Sequence, residues 1–260
     1  MASMIVRPPK ATVLNLKNPD EGMFAVNHIL EPEYHQEEYV SVCDDTAKLP
    51  GAFQIGDVAR LVEEPHRGLQ PKYADDETEP ASLEWEGMLL NDGQQMDGAK
   101  GERNVCALKS ASVRFGYIDF DSARSVTRGF YNANTKRAGI QRHDVLINST
   151  GDGTIGRVAV FDCDFPALVD GHITIVRFKD PVLAWYGAAY LLSDDGQRQL
   201  YRYINGSSGQ VEIYPQDIER VWIRPASTTR MKQIGDALRV ACGKHNEFAR
   251  DLKAALSHIA

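Results

Sequence analysis

Residues 144–161 read DVLINSTGDGTIGRVAVF, two runs rich in β-branched residues with Gly151, Gly153 and Gly156 between them. The glycine spacing is G-x-G-x-x-G, which in a dinucleotide-binding unit follows a strand and opens a helix, so that the helix N-terminus receives the pyrophosphate. Here the last glycine is followed by Arg157, Val158, Ala159, Val160 and Phe161, and Pro166 closes the run, a composition that favours a strand. The unit is therefore strand, glycine loop, strand, and the Rossmann reading fails on its own requirement. A glycine-rich hairpin lets backbone N–H groups approach a ligand closely, and Arg157 adds a planar fork that is always charged. Phosphate oxygens and guanine edges are the natural targets of that equipment.

The surrounding chain has the same β-rich character. From about residue 104, VCALKSASVRFGYIDF, RVAVFD, HITIVRF and VEIYPQDIERVWIRP carry Val, Ile, Tyr and Phe between turn residues. Residues 182–202 form the one helix candidate inside this region, with Trp185, Ala188, Ala189 and Leu192 on a buried face and a break expected at Gly196. A second loop, NGSSGQ at 205–210, places Ser207, Ser208 and Gln210 on flexible backbone, and Gln can pair with an adenine edge. The same NGSSG is also an ordinary turn. Before the body, residues 1–22 read as an extended arm and 23–42 as a short helix interrupted by Pro32; PGAFQIGDVARLVEE then begins the β-rich part.

At 260 residues and 28.9 kDa, one domain with an appendage is expected. No apolar run approaches the 18 residues of a membrane span, and no secretory pattern is visible, so a cytoplasmic protein with no membrane partner is expected. Cys43, Cys106, Cys163 and Cys242 lie far apart without zinc or redox spacing, which predicts buried free thiols and no metal. A net charge of −7 argues at first against nucleic acid. The distribution of that charge points the other way: residues 73–99 hold eight acids and no Lys or Arg, and the rest of the chain sums to +1. Residues 101–142 hold eight bases against three acids, a local basic zone whose alternative reading is a solvated charged face.

After Pro225, Met231, Ile234, Leu238, Ala241, His245, Phe248, Leu252, Ala255 and Ile259 alternate spacings of three and four. This is an a/d seam over about four heptads, on a helix about 42 Å long. The seam is narrow and its flanks are polar, which favours pairing with another helix through Ile234, Leu238, His245, Phe248, Leu252 and Ile259; packing on its own domain is the alternative. Gly243 weakens the helix, and His245 on the seam could set its register.

In their order, LKSASVRFGYIDFDSARSVT, HDVLINSTGDGTIGRVAVFD, ALVDGHITIVR, YLLSDDGQRQLYRYINGSSGQVEIYPQDIERVWIRP and the long C-terminal helix resemble a target recognition domain from the specificity subunits of type I restriction-modification enzymes. The resemblance covers roughly residues 50–260, and ILEPEYHQEEY at 29–39 resembles the segment that often precedes such a domain. It implies an α+β fold, in which a β-rich DNA target recognition domain is followed by a long coiled-coil-type helix. The division expected is an arm and short helix at 1–48, the recognition domain at 49–226 with its acidic insert at 73–99, and a dimerisation or spacer helix at 227–260.

The function implied is sequence-specific reading of double-stranded DNA at a split site. The subunit itself is non-catalytic and directs a partner adenine methyltransferase, which would use S-adenosylmethionine; a restriction or translocase subunit is a further possible partner. Carried over by position, Ser149, Thr150, Gly151 and Arg157 of the glycine hairpin and Ser207, Ser208 and Gln210 of the second loop become candidate DNA contacts. Lys109 and Arg114 fall in the ALKSASV-type segment, His172 in DGHITIVR is as well suited to a structural hydrogen bond, and Lys136 and Arg137, in a loop expected at YNANTKRAG, are added from charge alone. A full specificity subunit has two recognition domains and two helices, whereas one of each is present here. That implies a homodimer or pairing with a second half-specificity subunit. Two roles fit the acidic insert, contact with a partner protein and shielding of the site.

Catalysis on DNA by this chain lacks its signs: no [DNS]-P-P-[YFW] motif, P-loop or G-x-S-x-G elbow occurs. The remaining alternative is a non-catalytic interaction or inhibitor protein that binds a methyltransferase or restriction complex through its acidic patch and helix. The separation of acids and bases into adjacent windows argues against it.

Overall fold

The structure, a computed structural model, describes residues 32–74, 104–206 and 211–257. The arm over residues 1–22, the acidic stretch beyond Ala74, Ser207, Ser208, Gln210 and Ile259 lie outside these residues.

Among the described residues, ten short strands build the body. β2 (His66–Arg67), β9 (Ile173–Val176), β6 (Val145–Asn148) and β7 (Val158–Val160) make one antiparallel sheet in that order. β4 (Arg124–Val126), β3 (Val105–Leu108), β8 (Ala167–Val169) and β5 (Gly139–Ile140) make a second, in which β3 and β8 run parallel. β1 (Phe53–Gln54) pairs with β10 (Trp222–Ile223). The described part of the chain is thus α+β, in line with the class expected.

The period-two alternation of the strands decides the layers. On β6, Leu146 joins Ala159 of β7, Ile173 and Ile175 of β9, Cys106 and Leu108 of β3, and Ala167 and Val169 of β8 in a core between the two four-stranded sheets. Val145 and Ile147, one residue out of phase, face a helical layer with Val158, Val160 and Val176. Val105, Ala107 and Leu168 point the other way and meet a single helix. The order is helices, sheet, sheet, helix, so the central strands are buried on both faces and read as continuous apolar runs.

α1 (Glu37–Ala47) packs on the body across the boundary expected at residue 48. Thr46 Oγ1 shares a 3.3 Å hydrogen bond with Tyr190, and Arg202 donates to the Tyr34 carbonyl at 3.1 Å. α2 (Arg128–Ala138) occupies the segment read as the loop YNANTKRAG, which corrects that reading. Its sequence is polar and a modest helix former, but Thr127 accepts a hydrogen bond from the Phe130 amide as N-cap, and Phe130, Tyr131 and Ala138 pack on the outer face of the second sheet.

The helix expected over 182–202 is two helices, α3 (Pro181–Leu191) and α4 (Asp194–Arg202), and the break is at Ser193 rather than Gly196. Ser193 caps α4 by accepting from the Gly196 amide, while Asp194 and Asp195 fill the first turn. Gly196 is needed for proximity instead, since a Cβ there would lie 2.1 Å from the Tyr190 carbonyl oxygen.

After the short α5 (Pro215–Ile218), α6 (Thr228–Ser257) is the long C-terminal helix, and its seam divides. Met231, Ile234, Leu238 and Cys242 pack on the helical core of the body, and Ala241 is exposed where the heptad pattern expects contact. Ile234, Leu238 and His245, read as oligomerisation residues, are therefore occupied by the chain's own fold. Arg239 donates to Asp162 at 2.6 and 3.1 Å, Cys242 Sγ to the Gly116 carbonyl at 2.7 Å, and the His245 ring lies 3.7 Å from that of Tyr117. A straight helix drifts out of a 3.5-residue repeat, so contact passes from position 241 to 242. Beyond His245, Phe248, Leu252 and Leu256 are 63%, 47% and 55% exposed.

All four cysteines are free thiols; Cys43 and Cys106 are buried and Cys163 and Cys242 half-buried. Burial followed by the neighbouring Asp162 and Asp164 pushes the Cys163 thiol up to about 12. Among the described residues no helix is long and apolar enough to cross a membrane.

Candidate nucleic-acid interface

The strand registers bring remote segments to one end of the two sheets. Arg67 pairs with Thr174 and Asn148 with Ile173, so the end of β2, the start of β9 and the end of β6 coincide. Leu108 pairs with Val169, which adds the exits of β3 and β8 and hence Lys109 and Asp170. Gly68 closes this junction, because a Cβ there would lie 2.2 Å from the Val169 carbonyl oxygen.

The glycine hairpin stands on this end. Gly151, Gly153 and Gly156 adopt φ of +93°, +77° and +79°, the left-handed region that suits glycine, and their number follows from that geometry. Gly156 N–H donates to the Asn148 carbonyl and Asn148 N–H to the Arg157 carbonyl, each at 2.9 Å. Arg157 folds over the loop, its Nη2 donating to the Gly153 carbonyl at 2.8 Å.

The second loop is laced to the first. Gly151 N–H donates to the Val211 carbonyl at 3.0 Å, Ile213 N–H to the Ser149 carbonyl at 2.9 Å, and Glu212 bridges both Thr150 and Asn205. The chain on either side of 207–210 is therefore fixed against the glycine hairpin.

The sequence-predicted residues separate on this frame. Ser149, read as a contact, is fully buried, with its hydroxyl bonded to Thr174 and the Ile147 carbonyl, so its side chain supports the loop from beneath. Thr150 Oγ1 and His172 Nδ1 hydrogen-bond to each other beside Gly151, and the exposed His172 ring sits at the surface of the cluster. Lys109 is half-buried in the turn at 109–112. Arg114 lies on the adjoining 113–118 hairpin, paired with Asp119 at 3.1 Å. Lys136 and Arg137 are exposed at the C-terminal turn of α2, which ends at Ala138 with Gly139 as its C-cap. Arg177 bonds the Gly139 carbonyl past the far end of β9, so these two bases are not brought to the glycine hairpin.

Three supporting residues were not read from the sequence. Asn148 is fully buried, and its Nδ2 donates to the Ser110 carbonyl at 2.8 Å and the Val113 carbonyl at 3.4 Å, which ties the Lys109 turn to the root of the hairpin. Asp170, also buried, accepts from the Ser110 amide at 3.3 Å and the His172 amide at 2.9 Å. Burial pushes its carboxyl up, against the opposing pull of the His172 amide and ring charge, the Ser110 amide and the Lys109 charge. Arg67 is the third: Nη2 donates to the Ile213 carbonyl at 2.9 Å, Nη1 meets Glu212 at 3.4 Å, and the guanidinium lies 5.3 Å from the Tyr214 ring centre. A polar residue at a strand end, before glycine in the case of Arg67 and Asp170, is a weak signal for such roles, and only the registers make it specific.

No protein-family model and no curated protein matches the chain. Among solved structures, the type IIG restriction endonuclease BpuSI is similar with a TM-score of 0.51 at 9% identity, over 80% of this chain and 28% of that one. A chain from work on complex assembly and conformational transition of the type I R-M system aligns with a TM-score of 0.45 at 12% identity, over 91% of this chain and 53% of that one. The chain thus spans just over a quarter of the endonuclease's length and about half of the type I chain's. The likeness to BpuSI is one of fold.

Proposed function

We propose that this chain is a non-catalytic DNA-recognition unit of a type I-like restriction-modification or related defence system, reading half of a split site in duplex DNA and directing a partner adenine methyltransferase to it. The observation that carries this reading is the lacing of the glycine hairpin 149–157 to Asn205 and residues 211–213, on either side of the second loop, at one end of two sheets, where Lys109, Arg157 and His172 gather. Rigid strand ends holding short polar loops are the arrangement that base reading requires.

In this reading Lys109 and Arg114 anchor phosphates and set register, while Thr150, Arg157, His172, Ser207, Ser208 and Gln210 approach base edges, with Gly151 letting the backbone come close. Ser149 acts from behind the loop. Phe248, Leu252 and Leu256 of α6 supply the apolar strip through which a second recognition chain, a copy of this one or a separate half-subunit, fixes the spacing of the two half-sites. The methyltransferase docks on the same helical end and brings S-adenosylmethionine.

Selection of bound duplexes from a random double-stranded DNA pool tests this directly. Enrichment of a defined half-site or split motif is the expected result; recovery of an unenriched pool, with binding that depends only on salt, would remove the recognition reading.

A further inference from the structure

Arg67 is set apart from the basic residues of the sequence-predicted site by where its donors go. Its guanidinium spans both loops: Nη2 serves the Ile213 carbonyl at 2.9 Å and lies 3.5 Å from that of Ser149, and Nη1 meets Glu212 at 3.4 Å. The Nε–H is buried without an acceptor, and the side chain is only 23% exposed. An arginine that leaves an N–H unsatisfied while spending its fork on two loop backbones is placed for geometry rather than for solvent or ligand. Its own strand cannot give way, because β2 pairs with β9 at Thr174 and Gly68 is pressed against the β8–β9 turn.

We infer that Arg67 is a positioning residue that sets the separation of the glycine hairpin and the 211–213 segment, so that discrimination between DNA sequences depends on it while phosphate affinity does not. This rests on the DNA-recognition reading above. A lysine at the same place keeps the charge but cannot span the Ile213 carbonyl and Glu212 together, since it presents a point charge and no fork.

The experiment uses the full chain, the motif selected by the wild type and a scrambled duplex, with Arg67→Lys and Arg67→Ala compared at about 50 and 200 mM salt. Both variants should lose about tenfold or more in the ratio of specific to scrambled affinity, with scrambled binding and the salt slope unchanged and thermal melting showing a folded protein. An undiminished ratio in Arg67→Lys would overturn the inference, because charge alone would then suffice. Equal weakening on both duplexes with a salt slope reduced by about one would also overturn it, by making Arg67 a phosphate contact. Unfolding of both variants would reduce Arg67 to a stability residue. Failure of the wild type to select any motif is a different outcome, which removes the parent reading and this inference together.

Discussion

Gly235 of α6 rests directly on Trp185 of α3: a Cβ on Gly235 would lie 2.8 Å from the Trp185 Cβ and 3.4 Å from the Tyr186 nitrogen. The two helices meet backbone to backbone, which sets how the C-terminal helix leaves the body. Gly243, eight residues later on the same helix, has nothing within 4 Å of its would-be Cβ.

Opposite effects are therefore expected from the same substitution. Gly243→Ala should stabilise by about 0.5–1 kcal/mol through helix propensity alone. Gly235→Ala gains the same propensity but forces α6 off α3, an overpacking cost of about 1–3 kcal/mol. Thermal melts of the two variants should move in opposite directions, by about 2–4 °C per kcal/mol for a chain near this size. A rise in both would mean that α6 does not pack on α3.

The divided seam of α6 separates folding from assembly. Leu238 packs on the body core with Met231, Ile234 and Cys242, so Leu238→Asp should lower stability by about 2 kcal/mol or more and perturb assembly only as a consequence. Leu252 and Phe248 are exposed at 47% and 63%. Leu252→Asp should leave the melting temperature within about 1–2 °C of wild type while dissociating any dimer or hetero-assembly, read by light scattering. Retention of the assembly in that variant would place the contact elsewhere.

At the far end of the sheets, Arg177 donates from Nε and Nη2 to the two oxygens of Asp144, each at 2.7 Å, and Asp144 is 1% exposed. Asp144 raises the Arg177 pKa through these bonds, and removing the arginine strands a buried carboxylate. Arg177→Ala should cost about 3–5 kcal/mol in denaturant unfolding, whereas Arg177→Ala with Asp144→Asn should recover part of that loss.

Arg157 is the functional counterpart. Its guanidinium bonds its own loop, at the Gly153 carbonyl 2.8 Å away, so Arg157→Ala should cost little global stability. Sequence-specific binding should fall by about 1–3 kcal/mol while the oligomer persists, measured by fluorescence anisotropy on the selected duplex. Unchanged specificity would remove the glycine hairpin from the reading surface.

Local pattern carried the parts of this protein whose cause is local. The β-branched runs around 105, 145, 158 and 173 are strands because their neighbours in sequence already favour extended backbone. Gly151, Gly153 and Gly156 announced a loop because each adopts a positive φ that other residues resist. The long C-terminal helix was legible from its period.

What tertiary structure decided is everything that depends on which surfaces meet. α2 is a helix because Phe130, Tyr131 and Ala138 find a sheet to cover, which its polar sequence does not disclose. The first half of the α6 seam covers its own body rather than another helix, because apolar spacing records that a face is buried and not by what. Ser149 looks like a ligand contact in NSTGDG and is buried, since one residue of register moves a strand-end side chain from the surface to the interior. The meeting of Arg67 with Ile213, residues 146 apart, follows from strand pairing, a long-range choice that no local stretch of the chain contains.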